Sequence, residues 1–366
     1  MADFITSFLK ATRLARRRRP LSAAFALGDG LASLGKPKAK SRRKPAAKAP
    51  AQLKPQLKPR SKPAAARPIR PKKPPGIAKR PAPGSFTSDE LACPQGLVRY
   101  RLYVPRGSAR QRLPLVVMLH GCSQSAEDFA AGTDMNRLAD ELGIVILYPQ
   151  QSQAANLARC WNWHDPDNQA RGRGEPAMIA ALTRHAIALT RANPARIYIA
   201  GLSAGGAAAA IVGAAYPDLY VAVGVHSGVA RGDIRSLGAA LSAMRGRAGP
   251  RPTGGLPRPL PTIVFHGDSD RVVHPSNAGG FLSNLERSRA GPLLSQSISG
   301  RSEGGRDFTR KLYRTGTGQV LLEDWTIHGS GHSWSGGRAT GSHTDPAGPS
   351  ASREMLRFFL SYRRGA

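Results

Sequence analysis

Ser203 stands at the centre of Gly201-Leu202-Ser203-Ala204-Gly205, between the apolar run 195–200 and the small-residue run 206–210. Strand, sharp turn and helix in that order lift a hydroxyl to the edge of a sheet. Glycines on both sides leave room for the turn and for close packing of the helix. A serine hydroxyl is a weak nucleophile at neutral pH. It needs a base, a carboxylate that orients the base, and N–H donors for the oxyanion that forms. The acid should follow a late strand and the base the last one. Asp270, in His266-Gly267-Asp268-Ser269-Asp270, meets the first condition. Asp268 is its rival, but a longer loop turns a side chain back across the sheet edge more readily, which leaves Asp268 as a turn residue. His332, in His328-Gly329-Ser330-Gly331-His332, meets the second condition, with glycines that let its loop fold over the nucleophile. His328 and His343 are the alternatives.

The oxyanion donors fall to two backbone amides. One is Ala204, directly after the nucleophile. The other is Cys122, where His120-Gly121-Cys122 closes an early apolar run. His120 reads as a structural residue of that loop. The elements that must carry these groups follow from the pattern. Apolar runs predict strands at 98–104, 115–119, 144–148, 197–200, 222–225, 262–265 and 320–326. Helical patterns lie at 126–142, 176–190, 204–216, 276–289 and 351–362. Continuously apolar strands alternating with helices predict an α/β fold, with a mostly parallel sheet covered on both faces. With the serine turn, that is the layout of an α/β-hydrolase. Residues 239–260 and 300–307, rich in Gly, Arg and Pro, read as surface loops.

Charge divides the 366 residues into two regimes. Residues 1–84 hold 23 Lys and Arg against two acids, a net of +21 out of a total of +31. Residues 1–35 read as a basic N-terminal segment that can be helical, in which residues 1–20 can make a basic amphipathic helix or a partly helical tail. Residues 36–84 are Lys, Arg, Pro and Ala with little to bury and should form a disordered linker. Such a polycation can bind nucleic acid or another polyanion, or a granule surface, or act only as a solvated linker. Residues 85–366 suffice for one large domain. Arg16 to Arg19 before an apolar stretch resemble a twin-arginine export signal, yet Asp29 interrupts the stretch and no clean A-x-A site follows. No apolar run reaches the length of a transmembrane segment. Three cysteines do not make a disulfide scaffold. No metal motif is evident, and the triad chemistry needs no metal or cofactor.

Several separate motifs resemble the polyhydroxybutyrate (PHB) depolymerase esterases. They are the run from Leu119 through His120, Gly121 and Cys122 to Phe129, Cys160-Trp161-Asn162-Trp163, Arg171-Gly172-Arg173-Gly174-Glu175-Pro176, Gly201 to Gly206, His266 to Asp270, and Gly331-His332-Ser333-Trp334. The relatives include secreted short-chain-length polyhydroxyalkanoate depolymerases and the feruloyl and acetylxylan esterases of carbohydrate esterase family one. The resemblance covers residues 97–362 and implies a single α/β-hydrolase domain with the triad Ser203, Asp270 and His332. It also places Cys122 and Cys160 at the active-site rim. There they can bridge, tying the oxyanion loop to the tryptophan loop, or remain two buried thiols in a reducing compartment. Cys93 has no evident partner. Trp161, Trp163 and Trp334 are expected near the site, as an apolar substrate-binding subsite or as packing beneath loops. Arg171 and Glu175 read as an ion pair or a helix start.

The resulting expectation is a serine esterase acting on short-chain hydroxyalkanoate esters, of the 3-hydroxybutyrate type. Feruloyl or acetyl esters are the alternative. Secreted depolymerases usually add a polymer-binding domain after the catalytic one, whereas this sequence ends at Ala366. Soluble oligomers, small esters or amorphous granules are therefore the expected substrates. A reading of another class makes the chain a polyanion-binding protein acting through its basic tail. The resemblance points to an extracellular location; the absence of a convincing signal keeps a cytoplasmic or granule-associated one open.

Overall fold

The computed structural model describes residues 84–107, 112–232, 234, 236–247, 259–288 and 291–365. The expectations for the basic segment and the linker lie outside these residues, apart from Gly84.

Ten strands form one sheet. In chain order they are β1 (Ser85–Cys93), β2 (Gly96–Val104), β3 (Leu115–Leu119), β4 (Val145–Gln150), β5 (Ile197–Leu202), β6 (Ala222–His226), β7 (Thr262–Gly267), β8 (Leu294–Arg301), β9 (Asp307–Arg314) and β10 (Val320–Ile327). Their spatial order is β1-β2-β4-β3-β5-β6-β7-β10-β9-β8. From β4 to β10 every neighbouring pair is parallel, and the outer pairs on both flanks are antiparallel. A two-residue strand, β11 (Trp334–Ser335), pairs with β12 (Thr344–Asp345) beyond the last sheet strand.

Alternation along the central strands explains why they are apolar throughout. Leu115, Val117, Leu119, Ile197 and Ile199 join one core, whereas Val116, Met118, Tyr198 and Ala200 join another. Side chains point to opposite faces in turn, so a sheet buried on both sides needs apolar residues at every position. Helices α3 (Gly174–Thr190), α4 (Ala204–Ala215), α5 (Leu237–Met244) and α6 (Gly279–Arg287) contribute to the first core. Helices α1 (Ala126–Thr133), α2 (Met135–Leu142) and α7 (Ala351–Leu360) contribute to the second. There Phe359 stacks on Tyr198 with centroids 5.1 Å apart. Burying each such side chain contributes about 1.5–3 kcal/mol.

Three local expectations are corrected. The helix expected over 126–142 is two helices, broken at Asp134, whose φ of 54° is left-handed. Aspartate tolerates that conformation better than most residues, and Asp134 is further held by Arg137 at 2.7 Å and Arg338 at 3.6 Å. Part of the loop expected over 239–260 is helix α5, capped by Ser236. The strands β1, β8 and β9 went unread because no apolar run marks them: β1 and β8 are mostly exposed strands at the sheet edges, and β9, between β8 and β10, is only partly covered. No described helix is long and apolar enough to cross a membrane.

Candidate active site

The parallel strands bring their carboxyl ends to one edge. β5 delivers Ser203 there with φ 59° and ψ −120°, in the turn from which α4 starts. That conformation is costly for a side-chain-bearing residue, and its surroundings enforce it. A Cβ on Gly205 would lie 2.2 Å from the Leu119 carbonyl oxygen, and one on Gly201 would lie 2.3 Å from that of Gly205. The Ser203 amide donates to the His226 carbonyl at 2.8 Å, anchoring the turn to β6.

Asp270 lies in the loop after β7, and its side chain is fully buried. One carboxylate oxygen accepts from the Val272 and Val273 amides at 2.8 and 2.9 Å. The other lies 2.7 Å from His332 Nδ1. His332, in the loop after β10, is thereby held by one ring nitrogen, which leaves Nε2 for other work. His266 Nε2 lies 3.5 Å from the same Asp270 oxygen and 2.8 Å from the Val273 carbonyl. Burial alone would raise the Asp270 pKa. The contacts from His266 and His332 outweigh it and hold the carboxyl well below the usual aspartate range. No hydrogen bond joins Ser203 to His332 in the structure, a gap common in resting hydrolases whose contacts tighten around substrate.

The rival pair is also formed. Asp268 lies 2.9 Å from His328 Nδ1, and His328 Nε2 lies 2.9 Å from the Thr309 hydroxyl. Both Asp268 and His328 are exposed at the rim, whereas Asp270 and His332 are covered. His343 sits in the 342–345 segment with φ 53°, its carbonyl accepting from the Trp334 amide at 2.7 Å. Burial lowers its pKa.

The amides of Ala204 and Cys122 donate no hydrogen bond within the described residues, and both residues line a small pocket at Ser203. Cys122 is disulfide-bonded to Cys160, with Cα atoms 4.2 Å apart. The Ser123 amide donates to the Ala158 carbonyl at 2.6 Å, so the two loops run side by side. His120 is fully buried between them. Its Nδ1 lies 2.8 Å from the Gly121 carbonyl, and Nε2 accepts from the Gln151 amide at 3.1 Å. Burial pushes its pKa down to about 4.

The three tryptophans separate. Trp163 lines the Ser203 pocket together with Ala207, Val229, Met244 and Val273. Trp161 and Trp334 are 0% and 1% exposed, which corrects the expectation that they face substrate. The Trp161 indole donates to the His120 carbonyl at 3.1 Å. The Trp334 indole donates to Ser352 at 3.0 Å and stacks on His226, 5.2 Å away. The expected pairing of Arg171 with Glu175 does not form. Arg171 pairs with Asp218 at 2.5 Å, and Glu175 opens helix α3. Sequence reasoning assigned no role to His266 or His226. Burial lowers the His226 pKa to about 3, and its Nε2 accepts from the Ser335 amide at 2.9 Å. The first of these lies inside a motif already noted, but nothing in spacing tells a buried carboxylate partner from a strand-end histidine.

A parallel sheet with antiparallel flanks, helices on both faces and a serine at the strand–helix turn defines an α/β-hydrolase. The sequence profile of the family described as Esterase PHB depolymerase matches residues 98–291, more than half of the chain. The chain belongs to that family. Poly(3-hydroxyalkanoate) depolymerase C of Paucimonas lemoignei is 31% identical over 244 residues, covering 63% of this chain but only 57% of that protein. Feruloyl esterase B of Thermothelomyces thermophilus is 27% identical over 260 residues, 64% of this chain and 83% of that one. The solved acetyl xylan esterase from Aspergillus awamori superposes with a TM-score of 0.56 at 17% identity, covering 75% of this chain and 99% of that one.

Proposed function

We propose that the protein is a serine carboxylesterase that hydrolyses short-chain hydroxyalkanoate esters, with Ser203, Asp270 and His332 as its triad. The observation that carries this is the buried Asp270–His332 pair at 2.7 Å, on the same sheet edge as the strained Ser203 turn. His332 takes the Ser203 proton as Oγ attacks the ester carbonyl. The tetrahedral oxyanion is received by the Ala204 and Cys122 amides. His332 then passes the proton to the leaving alcohol, and a water attacks the acyl-enzyme along the reverse route.

The pocket beside Ser203 has room for little more than one water-sized group. A space that small takes an acetyl methyl but not the aromatic ring of a ferulate, and a 3-hydroxybutyryl chain would have to extend beyond it. The names of the relatives support a polyester, a feruloyl ester and an acetyl ester reading alike. Binding of polyanions or granule surfaces through residues 1–84 rests on their net charge of +21 alone; salt-sensitive adsorption that disappears when they are deleted would support it.

The decisive assay compares wild type and Ser203→Ala on soluble 3-hydroxybutyrate oligomers, p-nitrophenyl acetate and methyl ferulate. Release of 3-hydroxybutyrate that vanishes in the variant supports the proposal. Turnover of acetate alone moves the reading to acetyl esters, and turnover in the Ser203→Ala protein refutes the nucleophile.

A further inference from the structure

Glu175 is a buried carboxylate that the reaction above does not use. It lies in the first turn of α3, and the helix can begin there because Gly174 has no side chain: a Cβ would lie 2.1 Å from Asn168 Oδ1. One Glu175 oxygen accepts from Gln151 Nε2 at 2.6 Å, from Asn162 Nδ2 at 2.9 Å and from the Asn162 amide at 3.1 Å. The other lies 2.9 Å from the same amide. Every one of these donors is neutral.

The donors lead to the oxyanion loop by two routes. Asn162 is two residues from Cys160, whose disulfide reaches Cys122. Gln151 Nε2 also donates to the Cys160 carbonyl at 3.1 Å, and the Gln151 amide donates to His120 Nε2, two residues before Cys122. We infer that Glu175 is a positioning residue, whose ionised carboxylate clamps the 160–162 segment and, through the disulfide and Gln151, sets the Cys122 amide as an oxyanion donor. This rests on the esterase reading above.

Protonation would undo the clamp. A neutral carboxyl turns one of its oxygens into a donor, and that donor would face donors. The titratable and charged groups nearest it in the chain and its bonding network are His164 and Asp165 before α3, Asp167 in the short helix Pro166–Asn168, which pairs at 3.8 Å with Arg173 at the cap of α3, His120 behind Gln151, and Arg159 ahead of Cys160. Burial raises the Glu175 pKa to about 7, the bonds from Asn162 and Gln151 restrain the rise, and the Asp165 charge adds to it. The clamp is therefore fully set above neutrality and is lost as the pH falls through that value.

The test uses the full chain as wild type, Glu175→Gln, the paired Cys122→Ser/Cys160→Ser variant, and all three substitutions combined. The readouts are kcat and KM on p-nitrophenyl acetate, and a pH titration of tryptophan fluorescence, since Trp161 and Trp163 flank Asn162. The expected result is a kcat lowered by about ten- to a hundredfold in Glu175→Gln, with KM within about twofold. The same substitution should cost clearly less once the disulfide is gone, because one of its two routes to the amide is already cut and only the Gln151–His120 route remains. A fluorescence step near pH 7 should appear in wild type and in Ser203→Ala and be absent in Glu175→Gln. Wild-type kcat in Glu175→Gln, a loss that adds in full to that of the disulfide variant, or a fluorescence step surviving in Glu175→Gln would each overturn the inference. If Glu175→Gln fails to fold, Asn162→Ala removes one of the bonds and should shift the step; an unmoved step overturns the clamp. A wild type with no esterase activity would overturn the function and the catalytic half of the inference, and the fluorescence step would still decide the clamp.

Discussion

Replacing Asp270 by Asn keeps the shape of the side chain and changes one direction of hydrogen bonding. The carbonyl of Asn can still accept from the Val272 and Val273 amides. Its NH2 group then faces His332 Nδ1, now as a donor, across what was a 2.7 Å contact. Nδ1 must become an acceptor, so the neutral imidazole carries its proton on Nε2 and cannot take one from Ser203. Trapping the wrong tautomer costs a serine hydrolase about 10⁴ in kcat, or about 5.5 kcal/mol at 1.36 kcal/mol per tenfold. Asp268→Asn is the control. Its partner His328 is exposed, and one of its oxygens keeps the Gly329 amide at 2.8 Å. A solvent-screened pair of this kind is worth about 0–1 kcal/mol, so kcat should fall less than about fivefold. Both are measured as kcat on p-nitrophenyl acetate at pH 8. The reasoning is refuted if Asp268→Asn loses as much as Asp270→Asn, or if Asp270→Asn keeps more than about a tenth of the activity. The pH dependence has a defined sign. Because the folded pKa of Asp270 is depressed, its contribution to stability is fully present above the unfolded value of about 3.9 and is lost as the pH falls further. Acid unfolding of Asp270→Asn should lack that component.

Two further outcomes follow from the site. The Cys122–Cys160 bridge closes a sequence separation of 38, for which the chain-entropy account gives about 4 kcal/mol; urea unfolding of the doubly substituted Ser variant should show a loss of that order, and an unchanged midpoint would contradict it. Trp163→Ala should open the small pocket and raise kcat/KM for p-nitrophenyl hexanoate relative to acetate by about tenfold, whereas Trp334→Phe, a buried residue, should lower stability without moving that ratio.

The central sheet was legible because burial on both faces leaves no choice of residue type. The runs read at 115–119 and 320–326 coincide with β3 and with all but the last residue of β10. On the antiparallel flanks β2 was read, but an edge strand such as β8 was not legible, because it is held by backbone pairing to β9 with nearly every side chain in water. Apolar patterning says nothing about an element that buries almost nothing. Two of the tryptophans, Trp161 and Trp334, could not be told from substrate-facing residues for the converse reason. A large aromatic in a glycine-rich loop suits a substrate face and a loop's own small core equally well. What separates the two is whether the indole N–H finds an internal acceptor, as Trp161 does in the His120 carbonyl and Trp334 does in Ser352.

The two Asp–His pairs show where spacing stops and packing decides. Asp268 and Asp270 lie two residues apart, His328 and His332 four apart, and both pairs close at hydrogen-bond distance. Loop length alone therefore cannot choose between them, since both loops let their pair form. Their environments do choose. The Asp270 side chain is entirely covered, has its second oxygen taken by two amides, and meets His266 on its remaining side. Its charge acts on His332 at 2.7 Å and on His266 at 3.5 Å in a covered, low-dielectric setting, where orientation and stabilisation of an imidazolium are strongest. Asp268 spends its charge partly on water, partly on Gly329 and partly on a histidine whose other nitrogen is engaged by Thr309. A histidine with both nitrogens occupied has none to offer a nucleophile, whereas His332 holds Asp270 with one and keeps the other. The same backbone that brings β7 and β10 side by side thus builds one pair suited to tying two loops together and one suited to moving a proton.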